Sequence, residues 1–321
     1  MRHLLTLTDL SAVELRTVLD LALRMKRAYR GGARPPLLAR RTLALLFEKQ
    51  SLRTRVSFES GMTHLGGATL YLGEDVGWGK REAPQDFSRV LSRYVDAVVI
   101  RSKKHETVVE FAKYSDCPVI NGLTDWSHPC QAVADVLTMM ERRGSLDGAK
   151  LAYIGDSNNV CRSLAFACGM LGVELAVGSP EGYRYDDEAR KHFAAKCPQG
   201  KFVFDATAEE AAKNADFVYT DVWASMGQEK EREVRQKAFA AYQVDGKLMK
   251  LAKPNAGFLH CLPARRGEEV TDEVMDSPNS LIVDQAENRM HAQKAILIWL
   301  LGQKDPGILQ SAEKELPKTG K

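Results

Sequence analysis

Short apolar runs recur along this chain with longer helical patterns between them, and that alternation restricts the fold more than any other feature. The runs in the first half are TLALLF (42–47), ATLYL (68–72), DAVVIR (96–101) and CPVIN (117–121). The second half has KLAYIGD (150–156), VELAVGS (173–179), ADFVYTDV (215–222), AGFLHCLP (256–263) and SLIVDQ (280–285). Strands separated by helices run parallel through right-handed crossovers, which buries each sheet between helices on both faces. The expected class is therefore α/β. At 321 residues the chain exceeds one ordinary core and suits two domains of about 150 residues each. Turn residues cluster in RRGSLDGAK, which places the boundary near 143–149 and predicts domains over 1–145 and 146–303. The tail GQKDPGILQSAEKELPKTGK loses periodicity, so 304–321 reads as an extension with a poorly ordered end.

Charge and cysteine usage exclude several classes. A formal charge of +3 from 45 basic and 42 acidic residues, without a basic block, gives a nucleic-acid partner no electrostatic support. The six cysteines lie far apart with no Cys-x-x-Cys pair, which argues against a zinc site and against a disulfide framework. A reducing, cytoplasmic setting fits. Asp9 and Glu14 interrupt the leucines of the first 23 residues, so that stretch reads as an amphipathic helix rather than a signal peptide or membrane span.

Four clusters fall at predicted strand ends. After the run 42–47, Phe58, Met62 and Leu65 mark a helix with Ser51 as its N-cap, so Ser51-Leu52-Arg53-Thr54-Arg55 sits at a helix N-terminus. Unpaired N–H groups, the positive end of the macrodipole, hydroxyls and guanidinium together suit phosphate. A merely capped surface helix explains the serine but not both arginines. In WSHPCQ, Pro129 fixes a helix start beside His128 and Gln131, a pair able to hold a carbonyl oxygen and an amide N–H₂. The alternative is a helix cap with incidental polar neighbours.

The strand 150–156 runs into SNNV, where the glycines of a dinucleotide fingerprint are missing. Asn158 and Asn159 instead offer amides suited to a small carboxylate, although Asn is also an ordinary N-cap. Asp221, Ser225 and Met226 follow another strand, where an aspartate could accept from a cationic amine or cap the next helix. Cys261 in HCLP has no histidine at a spacing that marks an activated thiolate, so packing is the ordinary reading.

Taken together, FEKQSLRTRVSFE, HPCQ, DVWASMGQE and HCLP resemble the ornithine carbamoyltransferase family over about residues 2–303. The first two elements are shared with aspartate carbamoyltransferases; the last two resemble the ornithine branch. The resemblance implies transfer of a carbamoyl group from carbamoyl phosphate to the δ-amine of L-ornithine, giving citrulline and phosphate with no metal and no organic cofactor. It implies a carbamoyl phosphate-binding domain over 1–145 and an ornithine-binding domain over 146–303, with the last helix, about 286–301, packing back on the first.

Carried onto this chain, Ser51, Leu52, Arg53 and Thr54 would hold the phosphate, and Arg101 would bridge phosphate and carbonyl oxygen. His128 and Gln131 would hold the carbamoyl group, with Arg289 completing the anion site. Asn158, Asn159, Asp221, Ser225 and Met226 would bind ornithine, and Cys261 and Leu262 would line the reacting centre. Arg101, His128 and Cys261 are the residues it places at the chemistry. A homotrimer, or an assembly of trimers, is implied, with a loop from the neighbouring chain at each site. That loop is LGEDVGWGKRE, where Gly77 replaces the Gln or His of many members, and backbone, Trp78 or Lys80 could compensate. The rival readings are a carbamoyltransferase for aspartate, putrescine or an N-acylated ornithine, a non-catalytic ligand-binding homologue, and a dehydrogenase, the last disfavoured by GDSNNV.

Overall fold

Leucine- and valine-rich runs do become buried parallel strands. The structure, a computed structural model, describes residues 1–79, 81–224 and 229–318, residue 229 by its backbone alone. The chain divides into two compact units, Met1–Leu137 with Glu287–Lys321, and Thr138–Ala286.

In the first unit, β1 (Thr42–Phe47), β2 (Ala68–Leu72), β3 (Ala97–Arg101) and β4 (Val119–Leu123) form a sheet in the order β2-β1-β3-β4, every pair parallel. The helices are α1 (Ala12–Arg30), α2 (Leu52–His64), α3 (Pro84–Tyr94), α4 (His105–Tyr114) and the first turns of α5 (Pro129–Arg143). Ser11 and Glu14 close a capping box at the start of α1. Buried Ala44, Leu46, Val98, Ile100, Val108 and Phe111 pack β1 and β3 against α4.

In the second unit, β5 (Lys150–Ile154), β6 (Glu174–Gly178), β7 (Lys201–Ala206), β8 (Phe217–Thr220) and β9 (Gly257–His260) stand in the order β7-β6-β5-β8-β9, again all parallel. They are accompanied by α6 (Asn159–Leu171), α7 (Asp187–Lys196), α8 (Ala208–Ala212), α9 (Arg232–Phe239), α10 (Gly246–Met249) and α11 (Asp272–Met275). Helix α12 (Ile282–Gly302) begins in this unit and ends in the first, which α13 (Pro306–Glu315) then closes.

Two strand readings differ from the structure. SLIVDQ (280–285) is not a strand: Ser280 makes one isolated bridge to Phe258, and Ile282 opens α12. A short apolar run at a helix start carries the same local signal as a buried strand. The run KFVFDA, which forms β7, was not expected, because it is an edge strand with half its side chains in water. The tail is also more structured than its composition implies. Asp305 caps α13 through the Gly307 N–H at 3.2 Å, Pro306 takes the first helical position, and Ile308, Ala312 and Leu316 are buried.

The sheet orders decide where sites can form. In an open parallel sheet, the crevice lies at the carboxyl ends of two neighbouring strands whose connections leave in opposite directions. Those pairs are β1 and β3 in the first unit, with Phe47 opposite Arg101, and β5 and β8 in the second, with Ile154 opposite Thr220. Residues 51–54 follow β1, Arg101 ends β3, and Asn158, Asn159 and Asp221 follow β5 and β8, whereas His128 and Gln131 follow the neighbouring β4 and Cys261 follows β9.

Candidate active site

At the β1/β3 switch point, Glu48 ties the two strand ends together. Its N–H donates to the Arg101 carbonyl at 2.9 Å, and its carboxylate accepts from Ser102 Oγ at 2.8 Å and Lys103 N at 2.7 Å. Ser51 caps α2: its Oγ accepts from Thr54 N at 3.3 Å and donates to Thr54 Oγ1 at 3.1 Å. Thr54 Oγ1 also accepts from Arg289 Nη2 at 2.8 Å and from Arg101 Nη1 at 3.4 Å. Two buried guanidinium groups thus converge on one hydroxyl in the first turn of a helix. That is a concentration of positive charge suited to an anion.

Arg289 further donates through Nη1 to Gln131 Oε1, and Gln131 Nε2 donates to Asp135 Oδ1 at 2.7 Å. Asp135, fully buried, was not singled out from the sequence, although its place four residues after Gln131 on a predicted helix face was the signal available. His128 lies at the start of α5, where its carbonyl accepts from Ala132 N at 3.2 Å. Burial, followed by the nearby charges of Arg289 and Arg101, holds the His128 imidazole well below its usual pKa, so it is neutral at physiological pH. Arg53 stands half-buried in the first turn of α2 and makes no ion pair among the described residues. Leu52 is 76% exposed, so what it offers an anion is its backbone N–H.

In the second unit, Asn158 caps α6, its Oδ1 accepting from Val160 N at 2.9 Å and Cys161 N at 3.1 Å, and also from the Tyr153 hydroxyl at 3.2 Å. Its Nδ2 donates to Asp221 Oδ2 at 2.9 Å, so the cap reading and a place in the polar cluster are both realised. Asp221 Oδ1 accepts from the Cys261 thiol at 3.1 Å. Asn159 Oδ1 accepts from Val160 N at 3.0 Å. Ser225 and Met226, like Lys80, lie outside the described residues.

Two more residues organise this end of the sheet. Arg235 donates to Asp156 Oδ2 at 2.8 Å and to the Trp223 carbonyl at 2.9 Å, which anchors the segment after β8. Their separation of 79 residues left no local pattern to read. His260 holds the turn after β9: its Nδ1 accepts from Leu262 N at 2.9 Å, and its Nε2 donates to Glu269 at 3.2 Å. Leu262 has φ 58, a conformation that costs a branched residue energy and needs such a restraint. Asp221, His260 and Cys261 bring ligand-type atoms within 4.8 Å of one another. Both ring nitrogens of His260 are nevertheless committed, so this trio is not a ready metal site, and the imidazole does not activate the thiol.

In the segment expected to reach a neighbouring chain, Trp78 packs against Phe111 and Phe87 of its own unit, with ring centroids 6.0 and 6.4 Å apart. Gly77 has φ 70, and a Cβ there would meet Arg81 Cδ at 2.3 Å. A Gln or His at this position would force both the backbone and Arg81 to move.

Two parallel-sheet units, one with an arginine-rich helix N-terminus and one with a carboxylate, amide and thiol cluster, define a carbamoyltransferase scaffold, and sequence comparison agrees. Residues 2–141 match the aspartate/ornithine carbamoyltransferase carbamoyl-P binding domain, and residues 147–300 match the Asp/Orn binding domain. The chain belongs to the aspartate/ornithine carbamoyltransferase family. Among its relatives, the ornithine carbamoyltransferase of Methanocorpusculum labreanum is 51% identical over 303 residues, 94% of this chain and 99% of that one. The anabolic ornithine carbamoyltransferase of Pyrococcus furiosus is 50% identical over 304 residues, covering 94% and 96%. The solved Pyrococcus furiosus enzyme superposes with a TM-score of 0.90 over 94% of this chain and 97% of its own. That of Thermus thermophilus, 41% identical, gives 0.83 over 94% and 99%.

Proposed function

We propose that the protein is an ornithine carbamoyltransferase, moving the carbamoyl group of carbamoyl phosphate to the δ-amine of L-ornithine to give L-citrulline and phosphate. The observation that carries ornithine over aspartate is Asp221. It is a buried carboxylate that accepts from two neutral groups, the Asn158 amide and the Cys261 thiol, with no ion pair among the described residues. Such a group attracts an ammonium and repels a dicarboxylate. Relatives of about 50% identity named ornithine carbamoyltransferase support the same choice.

On this reading the first unit, as domain 1–145 with the later part of α12, takes carbamoyl phosphate. Ser51, Arg53, Thr54 and the Leu52 backbone hold the phosphate, with Arg101 and Arg289. His128 and Gln131 hold the carbamoyl group. The second unit, as domain 146–303, takes ornithine through Asn158, Asn159, Asp221, Ser225 and Met226, with Cys261 and Leu262 beside the reacting amine.

The δ-amine attacks in its neutral form, since an ammonium has no lone pair. Its nitrogen bonds to the carbamoyl carbon, and negative charge builds on the former carbonyl oxygen. Arg101, Thr54 and neutral His128 donate to that oxygen, the kind of fixed stabilisation usually worth most in acyl transfer. The carbon–oxygen bond to phosphate then breaks, with the departing charge matched by Arg53, Arg101 and the α2 N-terminus. The nitrogen, which carries two protons after the attack, gives one of them to the departing phosphate. Direct attack needs no protein nucleophile, and neither metal nor organic cofactor enters these steps.

The assembly is a homotrimer or a group of trimers, as the family resemblance implies, in a cytoplasmic setting that suits six free cysteines. No described helix is long and apolar enough to cross a membrane. Arginine biosynthesis fits the relative named anabolic; the reverse reaction uses the same groups. A steady-state assay with carbamoyl phosphate and ornithine, putrescine, aspartate or N-acetylornithine tests the choice. Ornithine should be preferred by at least about a hundredfold in kcat/KM, because the rivals leave a buried polar group unmatched. Equal or better use of another amine would overturn it.

A further inference from the structure

In the segment after β2, Gly77 has no side chain to offer, yet the space beside it is filled. Glu74–Val76 make one short helical turn, Gly77 takes the left-handed conformation, and its carbonyl accepts from Arg81 N at 3.0 Å. This turn folds Arg81 back over Gly77. A Cβ at residue 77 would lie 2.3 Å from Arg81 Cδ and 2.5 Å from Arg81 Cγ, so the arginine stem runs through the volume that a side chain there would occupy. Only glycine leaves that path open.

Of the side chains in this segment, Trp78 is turned inward: it packs on Phe111 and Phe87 of its own unit, with its indole Nε1 buried. Arg81 is exposed. Its guanidinium makes no hydrogen bond or ion pair among the described residues, although Glu74, Asp75 and Glu82 stand in the same segment. The anion site, for its part, begins at an uncovered rim. Leu52 and Val56, one turn apart on α2, are 76% and 47% exposed, and Leu70 of edge strand β2 is 47% exposed. Apolar surface of this kind, next to Arg53 and the α2 N-terminus, suits cover by another protein surface.

We propose that Arg81 crosses the subunit interface and donates to the phosphate of carbamoyl phosphate held at residues 51–54 of the neighbouring copy, in place of the side chain missing at residue 77. This rests on the reading of sites shared between subunits. A guanidinium presents two parallel donors to one edge of a phosphate and brings a full charge, which Gln or neutral His does not. The anion site of one chain is then incomplete until a second copy supplies its arginine.

Calorimetric titration with inorganic phosphate, the leaving group of the reaction, reads this contact without turnover. Arg81→Met, a change at an exposed side chain, should weaken phosphate binding about tenfold, and Arg81→Lys should recover part of the loss. Mixed oligomers of Arg81→Met and Arg53→Ala chains, co-expressed with different affinity tags, locate the contact. In each mixed trimer an intact Arg53 meets an intact Arg81 from its neighbour once, so about one site in three should bind phosphate with native affinity. Native affinity in Arg81→Met would overturn the proposal, and so would mixed oligomers without a native site. A native protein that sediments as a single chain and still binds phosphate would overturn the shared-site reading itself, and the proposal with it.

Discussion

Asp135 determines which way round Gln131 stands. With the carboxylate accepting from Nε2, the amide oxygen is left to receive Arg289, and Arg289 in turn reaches Thr54. In Asp135→Asn the shape survives but a charge-assisted contact is lost and the amide is free to turn. We expect carbamoyl phosphate binding to weaken by about 2 kcal/mol, roughly thirtyfold, with a smaller effect on the ornithine KM. Unchanged kinetics would show that Arg289 is positioned without it. Residues such as Ser51, His128 and Asn158 were legible because each obeys a local rule, a cap or a proline-marked helix start, that a few neighbours reveal. Arg289 was legible only through resemblance, since its partners Thr54 and Gln131 lie 235 and 158 residues away. Arg235 and Glu269 act through folded contacts, to Asp156 and His260, that no spacing announces.

Among the elements, the helices that follow β1 and β5 matter most, because each starts at a switch point with a side chain capping its own N–H groups. Eight of the nine apolar runs became strands, since a run flanked by turns and helices has few other ways to bury itself. The failures, 280–285 and β7, are a helix start and a half-wet edge, where burial rather than local pattern decides. Helix α13 lies past residue 300, where the family match ends, and is held by Arg24 of α1. That buried guanidinium donates to Glu313 Oε1 at 2.5 Å, to the Pro317 carbonyl at 3.0 Å and to the Ala312 carbonyl at 3.3 Å. Removing residues 304–321 exposes the surface that Ile308 and Leu316 cover and should cost about 3 kcal/mol of the first unit's stability. Chemical denaturation of the shortened chain measures this. A midpoint equal to that of the full chain would mean that α13 is only docked, not stabilising.

At the scale of the whole molecule, buried neutral histidines set a limit on acid stability. His291 is held down to about 2, chiefly by burial and then by Lys294, and His128 is lowered by burial and by Arg289. Both folded-state values lie below the unfolded one of about 6.5, so under that pH the unfolded chain binds protons that the native state refuses. Stability should therefore be complete above about pH 6.5 and fall as the pH drops, by up to about 1.4 kcal/mol per pH unit for each group. His291→Gln removes one of these groups, so its unfolding free energy should depend less steeply on pH between 6.5 and 5. A slope equal to the native one would contradict the assignment. The central claim, direct carbamoyl transfer to ornithine, is tested most directly by initial rates of citrulline formation over a grid of carbamoyl phosphate and ornithine concentrations. The structure predicts citrulline with intersecting double-reciprocal lines, and the same pattern at reduced rate in Cys261→Ser, because the amine attacks without a carbamoylated protein intermediate. Parallel lines, or no citrulline at any concentration of the two substrates, would contradict it.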